Sequence, residues 1–407
     1  MQTKVRKLSS EEVLDQAKEL AAEFAQTYPV RDKNREFPYE EMTRLKASGL
    51  LAAPVPKQYG GLGLSTGEII ETTLIIAGGN PSIAQMYGGH AVMMAETIHA
   101  FAADDLKKRL YGEVVEKNAF MANASSERQS KHVLAWETTF TPAPNRDGIL
   151  IKGKKFFSTG SLASDYLFVP GMLDSEVAVA FVPTKAEGLV IHDDWKAMGQ
   201  RGTASGTTEL NNVYVGMDWV IPKLGSTQEP DPTDLFAPLI QSVFTAIYVG
   251  TAQAALDYAL NYVKTKTRPF PFSGVEAAIQ DPYILQEVGV LSAYLAAAEC
   301  LLLKAVESVE RVVAGRGKIT REELAGQRAA AMVEVAKAKV VATEVALRVC
   351  EGIFQLCGAR SAVAEEDSDR FWRDVRTLTL HDPKDYKARL IGEYLLQDKY
   401  PLPGFYS

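Results

Sequence analysis

The run Leu380-His381-Asp382-Pro383 holds the strongest chemical candidate in this chain. An imidazole takes up or releases a proton near neutral pH, so His381 can act as a general acid or base. The same ring could instead contact helix-end carbonyls. Asp382 could orient the ring, but an Asp-Pro pair is an ordinary helix start, and a cap for the helix beginning at Pro383 is its preferred role. His90, after Gly88-Gly89 in the middle of a helical stretch, reads on its own as a core histidine with one satisfied hydrogen bond, and His99 reads as structural. The five histidines (His90, His99, His132, His192, His381) show no metal-ligand spacing, so no metal site is expected. Cys350 and Cys357 fall on one predicted helix about 10 Å apart, beyond disulfide reach, and read with Cys300 as free thiols. Gly60-Gly61-Leu62-Gly63 lacks a preceding strand and reads as a turn. With no Walker-type loop, GxSxG elbow or HExxH pair, nicotinamide binding in a Rossmann domain, serine hydrolysis and zinc catalysis find little support.

These groups need a large scaffold, and 407 residues supply one of two or three domains. A hydrophobic share of 46%, a charged share of 23% and a net charge of −7 describe a globular chain without the basic surplus that nucleic acid requires. No run of about 18 apolar residues suggests a membrane span, and residues 1–7 lack the apolar core of a signal peptide, so a cytoplasmic location is expected. Residues 1–121 read as a helical domain, with a Ser9/Glu12 capping box and Val13, Ala17, Leu20, Ala21 and Phe24 at helical spacing. From 122 to 224 the segments are short, β-branched and broken by Gly, Asn and Asp, as in a small β-barrel. Residues 225–238 read as a linker within a third domain, 225–407, whose helices at about 237–265, 281–314, 321–358 and 383–398 suit a four-helix bundle. The fold class is therefore mainly α with a central β domain, without the βαβ alternation of a doubly wound sheet.

Several strings, in order along the chain, resemble the acyl-CoA dehydrogenase superfamily. They are Ala47-Ser48-Gly49-Leu50, the run 56–63, Gly153-Lys154-Lys155-Phe156-Phe157-Ser158-Thr159-Gly160, and the run 195–206 around Met198-Gly199-Gln200-Arg201. Asn123-Ala124-Ser125-Ser126-Glu127, Thr203-Ala204-Ser205-Gly206 and His381-Asp382-Pro383 draw the chain closer to the two-component flavin-dependent monooxygenases of the dibenzothiophene monooxygenase-like branch. The dehydrogenases' glutamate base has no counterpart: Asp382 stands at one family position, and 239–249 contains no acid at the other. An aspartate there would withdraw the carboxylate by about 1.5 Å, which is costly for a positioned base.

The resemblance implies reduced flavin delivered by a separate NAD(P)H:flavin reductase, reaction with O2 at flavin C4a, and transfer of one oxygen atom from the resulting hydroperoxide to a small apolar, sulfur-containing substrate. It implies FMN, with FAD possible, because the adenine-binding glycine pair reads Gln355-Leu356-Cys357-Gly358-Ala359-Arg360 here. His381 would manage the peroxide proton, and His90 would face the pocket. Asn123, Ser125 and Thr159 would bond the flavin edge, with Phe157 and Trp195 packed beside the ring. Arg268, followed by Phe270, would reach the flavin phosphate of a neighbouring subunit, with Arg360 a further phosphate candidate. The assembly implied is a homotetramer. Tyr87, Met94, Phe244 and Tyr248 would line an apolar substrate pocket. The competing readings are an acyl-CoA dehydrogenase using Asp382 as base and a non-catalytic binding protein on the inherited fold.

Overall fold

The computed structural model describes residues 8–132, 135–144, 146–224, 231–404 and 407. Its N-terminal helices are α1 (Ser10–Asn34), α2 (Tyr39–Ser48), α3 (Thr66–Gly79), α4 (Pro81–Val92), α5 (Ile98–Phe101) and α6 (Asp104–Lys117). Local chemistry accounts for their ends. Ser9 and Glu12 form the expected capping box of α1, and Gly49 at φ 89° closes α2 in the left-handed region that glycine enters without strain. The Asn80 side chain accepts from the Ser82 and Ile83 N–H groups and so starts α4. Val13, Ala17, Leu20 and Phe24 form the buried stripe of α1. A single turn of π-helix, Met93–Thr97, joins α4 to α5.

The β region comprises β1 (Met121–Asn123), β2 (Thr139–Pro142), β3 (Ile149–Lys155), β4 (Tyr166–Leu173), β5 (Glu176–Pro183), β6 (Leu189–Ile191), β7 (Thr208–Val215) and β8 (Val220–Ile221). The strands form a curled open sheet in the order β6-β7-β3-β2-β4-β5-β8, with β1 paired to β4. The closed barrel expected from the sequence is therefore not formed: β6 and β8 end the path without pairing to each other. Strand β8 spans two residues and β6 three, too short to complete a ring of hydrogen bonds.

Beyond the sheet lie α7 (Phe236–Thr265), α8 (Pro282–Gly315), α9 (Arg321–Cys357), α10 (Arg370–Thr379) and α11 (Lys384–Gln397). Helix α9 packs against α7, α8, α10 and α11, while α7 also contacts α3 and α4. Residues 225–230 of the expected linker lie outside the described residues. The rest of that linker is shorter than expected, because α7 starts at Phe236 and takes Pro238 into its first turn, where a missing N–H costs nothing. Helices α7 and α8 are long and apolar enough to cross a membrane by length and composition. Helix α7 is core, with 83% of its apolar window buried, whereas only 28% of the α8 window is covered within one chain.

Helix α10, at the end of the long helical region, joins all three parts. Arg373 donates to Asp32 Oδ2 on α1 at 2.7 Å and to Met198 O in the loop before β7 at 3.2 Å. Its guanidinium also meets Asp367 and Asp369. Asp374, wholly buried, accepts from the Tyr28 hydroxyl on α1 and from the Gln200 N–H of the same loop. Gly199 lies so close to α10 that a Cβ there would stand 2.1 Å from Arg373 O. Within the sheet, Lys155 Nζ, also fully buried, donates to Pro170 O, Ser125 O and Glu127 Oε1 at 2.7, 3.3 and 2.6 Å.

Two stability predictions follow from these buried charges. Replacing Lys155 with Met leaves the buried Glu127 charge without its cation, so denaturant unfolding should show a loss of about 3–5 kcal/mol; Lys154→Met, on the exposed face of β3, should leave the midpoint nearly unchanged. Burial raises the Asp374 carboxyl to about 7, against the opposing Gln200 N–H bond. A raised carboxyl binds its proton more tightly when folded, so its contribution is complete below the unfolded value near 4 and fades as pH climbs to about 7. Unfolding midpoints of Asp374→Asn should therefore decline less than those of the parent across that window.

Candidate active site

Three segments of the β region meet beside the end of β3. Lys155 holds the Ser125 carbonyl, and the Phe156 N–H donates to Ser126 O at 2.8 Å, so residues 123–127 lie along 155–156. Burial pushes the Lys155 ammonium down to about 8, opposed by Glu127. Burial works to raise Glu127, but bonds from Lys155, Thr138 and the Glu137 N–H hold it below its ordinary value. After β3 the chain turns sharply: Phe157 adopts φ 57°, uncommon for a bulky residue, and leaves its side chain 52% exposed. Its ring stands edge-on to Phe156 at 4.7 Å and to Trp195 at 5.8 Å. Trp195 Nε1 donates to Gln200 O at 2.8 Å and anchors that wall. Thr159 Oγ1 lies 2.8 Å from Ser205 Oγ, which lies 2.7 Å from Thr203 Oγ1.

This corner has unengaged polar groups next to an exposed aromatic face. The half-buried Asn123 and Ser125 side chains make no hydrogen bond among the described residues, and Ser158 Oγ is buried without a partner there. Both amide atoms of Gln200 are likewise buried and unpartnered. Buried polar groups are rarely left so without a ligand or water to receive them. Mixed amide and hydroxyl groups fit the donor and acceptor pattern of a flavin's pyrimidine edge, and Phe157 offers an accessible apolar face for its ring system.

On the helical side, His381 follows α10, about 10 Å along the chain axis from Asp374. It is exposed to solvent yet packs on Phe244 of α7 with ring centroids 4.6 Å apart. The dense surroundings, followed by the ammonium groups of Lys339 and Lys387, hold the imidazole below its ordinary value, against Asp382. Asp382 does not cap α11: Pro383 is the cap residue, and no side chain bonds the helix start. Asp382 Oδ2 instead meets Lys339 Nζ at 3.2 Å and Lys387 Nζ at 2.8 Å. Lys339, fully buried on α9, also donates to Gln241 Oε1 on α7.

Several expected site residues lie elsewhere. His90 is buried; its Nδ1 accepts from the Met121 N–H at 3.1 Å, so Nε2 carries the proton and donates to Leu51 O at 3.0 Å. With both nitrogens held by main chain and burial lowering it to about 4, His90 is a neutral structural bridge from α4 to β1, and the expectation of a pocket-facing histidine is not met. Tyr87, Met94 and Tyr248 are fully buried core residues, and the Tyr248 hydroxyl donates to Leu378 O at 3.3 Å. Of the four expected lining residues only Phe244 stands beside His381. Arg268, Phe270 and Arg360 are exposed. Thr267 Oγ1 donates to Leu356 O, near the C-terminal end of α9, about 25 Å along that helix from Lys339. One chain therefore does not bring Arg268 to His381.

Ser158, Ser205, Gln200, Lys339 and Gln241 were not singled out from the sequence. Ser158 and Ser205 stood inside quoted motifs, where a signal existed. Lys339 and Gln241 sit 98 residues apart in helices whose other residues read as core, so only the packing of α7 on α9 reveals them.

Known proteins share this fold and sequence. The acyl-CoA dehydrogenase N-terminal domain model matches residues 5–118, and the C-terminal domain model matches 242–385. The chain is 36% identical over 404 residues to a dibenzothiophene monooxygenase of Mycolicibacterium goodii, covering 97% of this chain and 96% of that protein. It is 31% identical over 396 residues to the probable FMNH2-dependent monooxygenase SfnC of Pseudomonas putida, with 96% of each covered. The crystal structure of TdsC from Paenibacillus sp. A11-2 with FMN and indole superposes with a TM-score of 0.90 at 35% identity, over 98% of this chain and 100% of that one. The chain belongs to the acyl-CoA dehydrogenase superfamily and, within it, to the flavin-dependent monooxygenases of the dibenzothiophene monooxygenase type.

Proposed function

We propose that this protein is the oxygenase component of a two-component monooxygenase that takes reduced FMN from a separate NAD(P)H:flavin reductase and uses O2 to oxygenate a small apolar, sulfur-containing substrate. Reduced flavin supplies the oxygen-activating chemistry when bound. Asn123, Ser125 and Thr159 hold its polar edge, Phe157 and Trp195 wall its ring, and His381 holds or moves a proton beside it. Related proteins support FMN: TdsC is crystallised with FMN, and SfnC is described as FMNH2-dependent.

The observation that carries this reading is the state of Asp382. An acyl-CoA dehydrogenase needs a free carboxylate as base at this place, and here that carboxylate lies between two ammonium groups and is buried. With an ion pair on each side, its oxygen is engaged by lysines and is not presented to a substrate. His381, accessible and next to it, is the group left to handle protons. The unengaged Asn123, Ser125 and Ser158 argue against a fold kept without a ligand.

The assembly we propose is a cytoplasmic homotetramer built through a four-helix bundle of α7, α8, α9 and α11. Support comes from α8, which exposes Tyr283, Leu285, Tyr294, Leu303 and Val313 and has only 28% of its apolar window covered within one chain. Arg268 and Phe270, far from His381 within one chain, then serve the flavin of an adjacent subunit.

Purified protein supplied with reduced FMN, 18O2 and dibenzothiophene or a smaller organosulfur compound should yield product carrying one labelled oxygen per transfer. Flavin oxidation without labelled product across the panel would contradict the proposal. In His381→Ala, labelled product should fall about 100-fold or more while reduced flavin is still consumed, diverting oxygen to hydrogen peroxide. Arg268→Ala should weaken FMN binding about 10-fold or more by equilibrium dialysis, as expected for a lost charge-assisted bond, with light scattering still reporting four chains.

A further inference from the structure

Next to His381 lies a charge cluster centred on Asp382. Lys339 on α9 and Lys387 on α11 both reach Asp382 Oδ2, and both are almost completely buried. Lys339 is fixed from the other side by Gln241 of α7 and stands 5.8 Å from the centre of the Phe244 ring, against which His381 packs. Two ammonium groups and one carboxylate leave the cluster with a net positive charge around Asp382, the residue next to the imidazole. Buried charges are costly, and a second lysine beside an already paired aspartate is not needed for neutrality.

We propose that Lys339 and Lys387, acting through Asp382, are positioning residues that fix the His381 turn between α10 and α11 and keep its ring uncharged. The proposal rests on the role given to His381 above. Among the described residues, the other groups facing this place do not cancel the charge. Gln241 is neutral, and the Tyr248 phenol is driven further up by burial and then by Asp382, so it stays protonated. Lys384 is engaged with Glu344 and Asp385 on the exposed side of α11. An uncharged ring offers both an N–H and a lone pair, so it can take a proton as well as give one; an imidazolium could only give. The same positive field favours the electron-rich reduced state of a ligand beside it over a neutral one.

A structural staple and an electrostatic one make different predictions about pH. Carbethoxylation by diethyl pyrocarbonate requires the unprotonated imidazole, and peptide mass mapping reads its rate at His381 alone, without flavin. We expect the half-maximal pH of that rate to rise by about one unit in Lys387→Met, where a neutral Asp382–Lys339 pair remains, and to fall in Asp382→Asn, where both cations lose their carboxylate. Lys387→Arg should restore the parent value, and Lys339→Met should repeat the rise if circular dichroism shows it folded. Equal half-maximal pH in the parent, Lys387→Met and Asp382→Asn, or shifts of one sign in the last two, would overturn the proposal. Because the assay contains no flavin or oxygen, its failure is separate from failure of the monooxygenase reading.

Discussion

A carboxylate with no cation beside it among the described residues holds the three parts of this fold in register. Asp374 takes the Tyr28 hydroxyl from α1 and the Gln200 N–H from the loop before β7, and it stands on α10, which ends at the His381 turn. Its neighbour Arg373 repeats the pattern with Asp32 and Met198 O, and Arg201 adds a second guanidinium on Asp32. Two adjacent residues thus tie the first helix, the sheet loop and the C-terminal helices together. Gly199 makes this contact possible because no side chain would fit between the loop and Arg373 O. The positions of Trp195, Thr203 and Ser205 on one side, and of His381 on the other, both depend on it.

The site divides by chemistry along the same seam. On the sheet side, Lys155 and Glu127 neutralise each other in the interior and present neutral amide and hydroxyl groups to the cleft. On the helical side, Lys339, Asp382 and Lys387 leave a positive excess behind His381. A neutral polar edge at the end of β3, with a positive excess beside His381, suits a flavin ring held by its pyrimidine end. It does not suit proton abstraction by a carboxylate, since the carboxylate at the dehydrogenase position is already occupied.

Much of the fold was legible because its signals are local. The Ser9/Glu12 box, Gly49 and the run of long alanine-rich helices placed elements to within a residue or two, since caps and 3.6-residue periodicity need only neighbouring residues. Sheet closure was not legible, because it depends on which distant strands pair and how long the end strands are. The same distinction explains the site. Thr159, Phe157 and Trp195 sat in continuous motifs and come together in space. His90 looked identical to a pocket histidine in sequence, and only the Leu51 and Met121 main chain shows its two nitrogens to be engaged. Asp382 read as a cap because Asp-Pro is common at helix starts; its lysines come from positions 43 residues before and five residues after it.

The most direct test of the central claim is a crystal structure of this protein with FMN bound. The account predicts the flavin's pyrimidine edge within hydrogen-bond distance of Asn123, Ser125 or Thr159, its ring against Phe157 and Trp195, and the His381 imidazole on the side of C4a. A flavin bound away from the end of β3, or one whose C4a is separated from His381 by the wall of Phe244, would contradict it.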